Sequence, residues 1–282
     1  MLKARGSDKL ELAFSTRTVN YLSPLEMTFV STGKAALFVN EALKIVQEAE
    51  KRGIELRVMG AVAFRIHCPK FIKLVDAMNR HLTDLDFIGY RKQRSDTIKM
   101  FKELGYTLDK EMLILAERLK FHSPSTGPDV DVFLDELKMS HTIVFKDRLK
   151  LDSLTIPLTD LLLEKMQIVQ INEKDIKDTI VLLREHMVGN GEPETIDSDY
   201  LSKLLSNDWG FYYTVTTNLK KVLEFLPTYI PLSEDDTKDV SSKVSTLLEK
   251  IESAPKSTKW KIRASVGTKR KWYEDVEEAH IG

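Results

Sequence analysis

The chain has 282 residues, and its 42% hydrophobic and 30% charged residues are ordinary for a globular protein with a real apolar core. The formal net charge of −1 excludes a polycation, so any binding of nucleic acid has to use a local basic patch. The single cysteine, Cys68, excludes an intramolecular disulfide and a cysteine-rich zinc site, as expected in a reducing compartment.

The sequence predicts a cytoplasmic protein without a membrane anchor. Residues 1–8 lack the apolar stretch of a signal peptide. No run of about 18 apolar residues occurs, so no membrane-spanning helix is expected.

The first predicted elements are a helix and a strand. Residues 1–33 have no clean period, and they end in an N-cap signal at 31–33. Residues 34–52 have the apolar spacing of an amphipathic helix, which Gly53 ends. Residues 54–59 are predicted to form a short apolar strand.

Gly60 is predicted to turn the chain into a short helix over 61–67, which Pro69 stops. Residues 70–83 are basic and are predicted as helix or loop.

The following segment alternates between strands and a helix. A strand marked by Leu85 and Phe87 is predicted to carry two aspartates, and a helix over 91–104 is predicted to end at Gly105. A loop is expected at 123–128. Four more strands are predicted, over residues 113–121, 130–133, 142–145 and 149–156.

Beyond Pro157 the pattern is helical. Helices are predicted, with a break near Asn172, over residues 158–188, 197–226 and 233–253. Because an α/β segment precedes an all-α segment, we expect an α+β fold of two modules, 1–157 and 158–282.

Two aspartate pairs carry the main chemical signal. In Asp84-Leu85-Asp86 and in Asp129-Val130-Asp131 the acids alternate with apolar residues, so the two acids of each pair share one face of a strand. Neighbouring carboxylates repel each other unless a cation lies between them. Mg²⁺ prefers one or two carboxylates together with substrate phosphates, so the pattern predicts a divalent-metal site.

The turn at Gly60 adds a second signal. Glycine lets the backbone approach a ligand closely, and the free N–H groups of the following helix favour an anion such as phosphate. Many such turns use glycine only for packing, so the turn gains meaning through the aspartate pairs that follow it.

At these residues the chain resembles the DNA polymerase β-like nucleotidyltransferase superfamily. It is most similar to the nucleotidyltransferase toxins of type IV toxin–antitoxin systems and to their uncharacterised relatives. The resemblance covers most of residues 54–190, and its motifs lie in residues 57–69, 83–87, 129–149 and 161–183.

The resemblance implies a mixed-sheet nucleotidyltransferase fold followed by a helical C-terminal domain. It implies that Asp84 and Asp86 bind Mg²⁺ or Mn²⁺ and a nucleoside triphosphate such as ATP. Asp131, or else Asp129, would complete the metal site and activate the acceptor hydroxyl. The remaining implied site residues are Gly60 and Ala61, which would hold phosphate, and Lys165, which would meet triphosphate charge. Asp175 or Asp178 would orient Lys165 or the nucleotide.

The resemblance also implies the reaction and its partners. A nucleoside monophosphate would pass from the triphosphate to a hydroxyl of an RNA, such as a tRNA 3′ end, or of a protein. The chain departs from the superfamily at Gly60-Ala61, where Gly-Ser or Gly-Gly is usual, because Ala61 has no hydroxyl for a phosphate. Two alternatives therefore stay open: a nucleotide- or RNA-binding module without catalysis, and a component that binds an antitoxin or another subunit.

Taken without the resemblance, several of these residues have plainer explanations. Lys165 could extend from an apolar helix to solvent, and Asp175 and Asp178 could form a solvated helix face. No histidine spacing supports a histidine metal site. A basic patch close to the proposed site could guide RNA or triphosphate, and it contains Lys70, Lys73, Arg80, Arg91, Lys92 and Arg94.

The tail beyond residue 255 mixes basic and aromatic residues, as in 259–263 and 269–273. Basic side chains can neutralise phosphates while aromatic rings stack on bases. The alternative, which we favour, is an amphipathic terminus that packs its tryptophans on the body of the protein.

Overall fold

The apolar spacing of the first predicted helix produces helix α1, Lys34–Lys51. Gly53 follows with a φ of +67°, a left-handed conformation that ends the helix at little cost for glycine. The structure is a computed structural model that describes residues 34–77, 82–110, 118–124, 127–192, 194–229 and 231–276. The predictions for 1–33, including the N-cap at 31–33, lie outside these residues.

The predicted strand–turn–helix is confirmed, with strand β1 at Leu56–Met59 and helix α2 at Gly60–His67. The basic segment that follows contains helix α3, Ile72–Ala77. The remaining elements of the sheet region are β2 (Leu85–Gly89), a 3₁₀ turn (Arg91–Gln93), α4 (Arg94–Glu103), β3 (Thr107–Leu108), β4 (Arg118–His122), β5 (Val130–Leu134), β6 (Glu136–Lys138) and β7 (Thr142–Val144).

These strands form a mixed sheet in the order β1-β2-β5-β4-β3, with β6 and β7 continuing from β5. Strands β2 and β5 are parallel and in register, so that Asp86 lies opposite Asp131. The other neighbours on this path are antiparallel, including β1 with β2 and β4 with β5. Two strands far apart in the sequence therefore lie side by side at the centre of the sheet.

One face of the sheet is apolar and packs on helices. Phe87 of β2 and Phe121 of β4 both contact Phe101 of α4, with ring centroids 6.5 and 4.3 Å apart. All three rings are fully buried. Helix α1 packs against β1 and α4, and its side chains Phe38 and Val46 belong to the buried core. Burial of these side chains drives the sheet to present its aspartates on the opposite face.

The strand predicted over 149–156 is wrong. The residues form turns and bends, and Thr155 alone makes a bridge, to Val58 of β1. The side chain of Asp152 explains the difference, because its Oδ1 accepts hydrogen bonds from the amides of Leu154 and Thr155 and so fixes a turn. Ile156 is buried as a loop side chain and gives the segment its strand-like apolar pattern.

The second half is largely helical, as predicted, with a capping box at Asn172 and Asp175 starting its second helix. Two short parallel strands were not predicted, because three residues show no readable period. None of the described helices is long and apolar enough to cross a membrane. The elements are α5 (Leu158–Met166), α6 (Glu173–Glu185), β8 (Met187–Gly189), β9 (Thr195–Asp197), α7 (Ser198–Leu205), α8 (Trp209–Phe225), α9 (Glu234–Ser253) and α10 (Thr258–Val266). The division of the chain at residue 157 stays a prediction.

The aromatic residues of the tail pack on the body. Trp260 contacts Tyr212 at 5.0 Å between ring centroids, and Trp272 contacts Tyr213 at the same distance. The indole N–H of Trp272 also donates to Thr214 Oγ1 at 3.1 Å. These two rings are therefore engaged by the protein itself, while basic side chains of the tail such as Lys259 and Lys261 are exposed.

Two histidines, the buried His67 and the half-buried His186, link α2 and the end of α6 to the rest of the fold. His67 Nε2 lies 2.5 Å from Thr155 Oγ1, and His186 Nε2 lies 2.9 Å from the carbonyl oxygen of His67. Burial lowers the pKa of each imidazole to about 4. Both rings are therefore neutral at pH 7.

We predict that stability falls in acid because these rings must charge. Each folded pKa lies below the ordinary value of 6.5, so the stabilisation is complete above pH 6.5 and is lost as the pH falls towards 4. Each histidine should contribute a loss of about 2 kcal/mol in unfolding free energy between pH 7.5 and 5. Urea unfolding at the two pH values should show that the loss of unfolding free energy is smaller by about 2 kcal/mol in His67→Gln than in the wild type. The exposed His122 provides a control of opposite sign. Its hydrogen bond to Asp129 raises its pKa, so its charged form stabilises the folded protein in acid, and His122→Gln should leave the acid loss as large as in the wild type or larger. If His67→Gln loses as much unfolding free energy in acid as the wild type, the low pKa of His67 is wrong.

Candidate active site

Three aspartates from neighbouring strands meet on the polar face of the sheet. Asp84 directly precedes β2, Asp86 lies within β2, and Asp131 lies within β5. Each can offer a carboxylate oxygen such that these oxygens all lie within 4.8 Å of one another. The parallel register of β2 and β5 produces this meeting, because it sets Asp86 directly beside Asp131. The predicted convergence of acids from two strands is confirmed.

The structure brings Asp131, and not Asp129, into this acidic triad of Asp84, Asp86 and Asp131. The carboxylate of Asp129 instead accepts a hydrogen bond from the Ser123 amide at 3.1 Å and lies 3.0 Å from His122 Nδ1. These partners hold Asp129 in the loop before β5. Of the two alternatives that the sequence leaves open, Asp131 has the position that a third ligand needs.

Asp86 lies in an unfavourable electrostatic environment. Burial raises its pKa well above the ordinary value, and the negative charges of Asp84, Glu164 and Asp131 raise it further, against an opposing effect of Lys165. A cation placed among these carboxylates would relieve the repulsion. The crowding of charge around Asp86 is thus a property that suits a metal ligand.

Gly60 lies in direct contact with Asp86. Its φ is +66°, and a Cβ added to it would lie 2.3 Å from Asp86 Oδ2 and 3.1 Å from Asp86 Cβ. The absence of a side chain at residue 60 is therefore required both by the backbone conformation and by the close approach of the carboxylate.

The amide of Gly60 is occupied by a residue that sequence reasoning missed. Gly60 N donates to Glu164 Oε2 of α5 at 3.0 Å, so a carboxylate lies where the sequence predicts a phosphate. Ala61 is partly buried against the core. A phosphate could reach the Gly60 amide only after Glu164 moves away, and the phosphate-binding roles of Gly60 and Ala61 stay predictions.

Lys165 lies in a buried acidic cage and does not extend to solvent. Its Nζ is 3.0 Å from Glu164 Oε1 and 3.7 Å from a carboxylate oxygen of each of Asp175 and Asp178. Burial disfavours the ammonium charge, yet Glu164, Asp178 and Asp175 outweigh this effect and raise the pKa of Lys165. The lysine is therefore charged and held between α5 and α6.

Asp175 and Asp178 are buried at this junction and do not form a solvated helix face. Asp175 also closes the capping box of α6 by accepting from the Asn172 amide. Burial raises the pKa of Asp175, and the charge of Lys165 opposes that increase. The structure brings Lys165, Asp175 and Asp178 together, as the resemblance implies, while their contact with a nucleotide stays a prediction.

Arg118 is the second site residue that the sequence did not single out. Its Nε donates to Asp131 Oδ1 at 2.9 Å, and one terminal nitrogen donates to Asp131 Oδ2. A signal was present, because Arg118, Lys120 and His122 alternate with apolar residues along β4. This alternation places a basic strand face beside the acidic one.

Several other polar residues lie away from the triad. His141 Nε2 lies 2.8 Å from Thr214 Oγ1 and its ring stacks on Phe211, so it serves packing near the tail. Cys68 is fully buried. Within the predicted basic patch, Lys70 pairs with Glu185 and Arg91 with Asp135, whereas Arg80 lies outside the described residues.

The residues of the triad fit a divalent cation in their chemistry. They supply carboxylate oxygens, which are the ligands that Mg²⁺ and Mn²⁺ prefer. Asp84 is partly exposed, and Thr83 Oγ1 donates to its Oδ1 at 2.9 Å, so one ligand is oriented at an accessible edge. The triad could therefore hold a metal ion.

Comparisons with known proteins give no family. No protein-family model matches the chain, and neither the curated proteins nor the solved structures contain a match. The support for a nucleotidyltransferase is therefore the α+β fold with its mixed sheet, together with the acidic triad.

We predict that Gly60→Ala disturbs the triad as well as the backbone. Gly53 has the same left-handed φ but nothing within 4 Å of an added Cβ, so Gly53→Ala is a matched control. Gly53→Ala should cost roughly 1 kcal/mol through the backbone alone. Gly60→Ala should cost about 1–2 kcal/mol more, because Asp86 must move. Chemical denaturation measures the difference, and equal losses would contradict the contact between Gly60 and Asp86.

We also predict that Asp86→Asn stabilises the protein in chelator. The raised pKa of Asp86 means that the folded protein favours the protonated carboxyl group. As the pH rises and this group ionises, the folded protein becomes less stable. At pH 7.5 in chelator, removal of this charge should raise Tm by about 2–4 °C. The exposed Asp147 supplies the control, and Asp147→Asn should leave Tm unchanged. A lower Tm for Asp86→Asn would show that the carboxylate is stabilising where it lies.

Proposed function

We propose that the protein is a metal-dependent nucleotidyltransferase that transfers a nucleoside monophosphate from a nucleoside triphosphate to a hydroxyl of an RNA or a protein. The observation that carries the proposal is the meeting of Asp84, Asp86 and Asp131 on adjacent strands. Two parallel strands place three carboxylates close together, and burial together with the neighbouring negative charges raises the pKa of Asp86. Binding of a metal cation would explain why the protein keeps these carboxylates together.

In this proposal Asp84 and Asp86 hold Mg²⁺ or Mn²⁺, and Asp131 completes the ligand set. When bound, the metal would neutralise charge at the phosphates and make the acceptor hydroxyl more acidic. The acceptor oxygen forms a bond to the α-phosphorus as the bond from that phosphorus to the β-phosphate oxygen breaks, and pyrophosphate leaves. Asp131 takes the proton of the acceptor hydroxyl.

The residues around the triad set the conditions for this step. Glu164 would release the Gly60 amide for a phosphate oxygen, since both are anions that the N-terminus of α2 favours. Lys165 would then face the triphosphate from its position between Glu164, Asp175 and Asp178. The positive charge that these acids stabilise suits that role.

The proposed partners are a nucleoside triphosphate such as ATP, an RNA such as a tRNA, and an antitoxin protein that would restrain the enzyme. Basic side chains of the tail and of α4, including the exposed Lys259 and Lys261 and the partly exposed Arg94, are the surfaces on which we expect RNA phosphates. Because Trp260 and Trp272 pack on the protein, we expect this contact to read the RNA backbone and not its bases. The buried thiol of Cys68 agrees with a reducing compartment, and the cytoplasm is the proposed location.

A second function is a nucleotide- or RNA-binding module without turnover. The specific observation that favours it is the occupation of two catalytic groups by protein partners: Glu164 holds the Gly60 amide and Arg118 holds Asp131. Ala61 adds to this, since it has no hydroxyl to offer.

The transfer assay distinguishes the two functions. Protein, Mg²⁺, labelled nucleoside triphosphates and total RNA are incubated, and label is followed in RNA and in protein. We expect transfer by the wild type, its loss by at least about a hundredfold in Asp84→Asn and Asp86→Asn, and no change in Asp147→Asn. Binding of triphosphate without transfer would favour the binding module. If Mg²⁺ with nucleotide leaves Tm unchanged and no label moves, the proposed function is wrong.

A further inference from the structure

We infer that Arg118 is an internal competitor of the metal: its guanidinium holds Asp131 when no metal is bound and has to leave this carboxylate when a divalent cation binds. The inference rests on the proposed metal site and concerns its regulation. Four observations support it: the hydrogen bonds of the pair, the fixed position of Asp131, the freedom of Arg118 and the charge around the triad.

The hydrogen bonds occupy both oxygens of Asp131. Arg118 Nε donates to Oδ1 at 2.9 Å, and a terminal nitrogen donates to Oδ2, so the guanidinium makes a two-pronged contact with the carboxylate. Such paired bonds are among the stronger ones in proteins, and they align a carboxylate in one plane. Asp131 is 4% exposed, so its oxygens have little access to water as an alternative partner. A cation that uses Asp131 must therefore replace bonds that already exist.

The two partners differ in their freedom to move. Asp131 is short, lies in the central strand β5 and is flanked by its neighbours β2 and β4. The Arg118 side chain is long and 32% exposed, against 6% for the Asp131 side chain. Because the carboxylate is fixed and the guanidinium has an open side, the pair separates by movement of Arg118.

Arg118 also has a defined place against β5. Its register partner on that strand is Phe133, and the guanidinium carbon lies 5.2 Å from the centre of the Phe133 ring. The aromatic face can keep the charged group close by after it leaves Asp131. Arg118 would then remain next to the triad as a cation that a phosphate can meet.

The charges around the triad explain why a competitor is useful. Burial disfavours the charge of Arg118, but Asp131, Asp86 and Asp84 together raise its pKa, so the guanidinium acts on all three acids. Without Arg118 or a metal ion, the buried carboxylate of Asp131 would lose both of these bonds, which is costly for a buried charge. Arg118 supplies one positive charge to the metal-free protein, and a divalent ion supplies two.

The test measures metal affinity and not activity. Full-length wild type, Arg118→Met and Arg118→Lys are titrated with Mn²⁺ in the absence of nucleotide. Loss of the competing bonds should tighten Mn²⁺ binding by about tenfold or more in Arg118→Met. Arg118→Lys keeps the charge but loses the two-pronged contact, so its affinity should lie between those of the other two.

Arg91→Met is the matched control, because Arg91 also pairs with an aspartate that follows β5, Asp135, at 3.6 Å. It should bind Mn²⁺ like the wild type. If Arg118→Met binds Mn²⁺ as weakly as the wild type or more weakly, the inference is overturned. Binding of Mn²⁺ by the wild type in the same experiment would still support the metal site. If neither the wild type nor any variant binds Mn²⁺, the metal site itself is wrong and the competition is overturned with it. Binding by Arg118→Met alone would support the competition in its strongest form.

A second measurement keeps the inference testable if Arg118→Met does not fold. The Nε–H resonance of Arg118, assigned by its loss in Arg118→Lys, is followed in the wild type by NMR during titration with Mg²⁺. We expect this resonance to shift as the bond to Asp131 breaks, whereas that of Arg91 stays in place. An Arg118 resonance unaffected by saturating Mg²⁺ would overturn the inference.

Discussion

The repulsion among three carboxylates is the constraint to which the rest of the polar face responds. The parallel pairing of β2 with β5 puts Asp86 beside Asp131, and Asp84 lies at the end of the same strand. The burial of Phe87 and Phe121 on the other face makes this arrangement hard to avoid, since the side chains of a strand alternate. Burial of the apolar core thus offsets the repulsion among the crowded acids.

Two positively charged side chains, Arg118 and Lys165, reduce this repulsion from different sides of the triad. Arg118 approaches from β4 and binds Asp131 directly. Lys165 approaches from α5 and acts on Asp86 through space while it is bound to Glu164. Glu164 in turn connects Lys165 to the amide of Gly60, so a continuous polar chain runs from the helical half of the protein to the turn at the start of α2. The helical half therefore takes part in the site.

Much of this arrangement could be predicted from the sequence, for identifiable physical reasons. Alternation around Asp86 and Asp131 predicted their strands and their common face, and the glycine at residue 60 predicted the turn. The choice between Asp129 and Asp131 needed coordinates, because both lie on the same face of the segment and only the loop hydrogen bonds at Ser123 and His122 separate them. Arg118 and Glu164 were missed for a related reason: their importance arises from partners distant in the chain. The false strand over 149–156 shows the converse, in which apolar residues imitate a strand while the side chain of Asp152 fixes a turn.

The alternation of residues in β2 and β5 also protects the chain from folding wrongly. A shift of the pairing by one position would exchange the two faces of a strand and push Asp86 or Asp131 into the aromatic layer around Phe101. A carboxylate in that layer would lose its solvation without gaining a partner, so the misaligned sheet would be much less stable than the native one. The acids that destabilise the native structure therefore also specify its strand register, because they destabilise the competing alignments of the same strands more strongly.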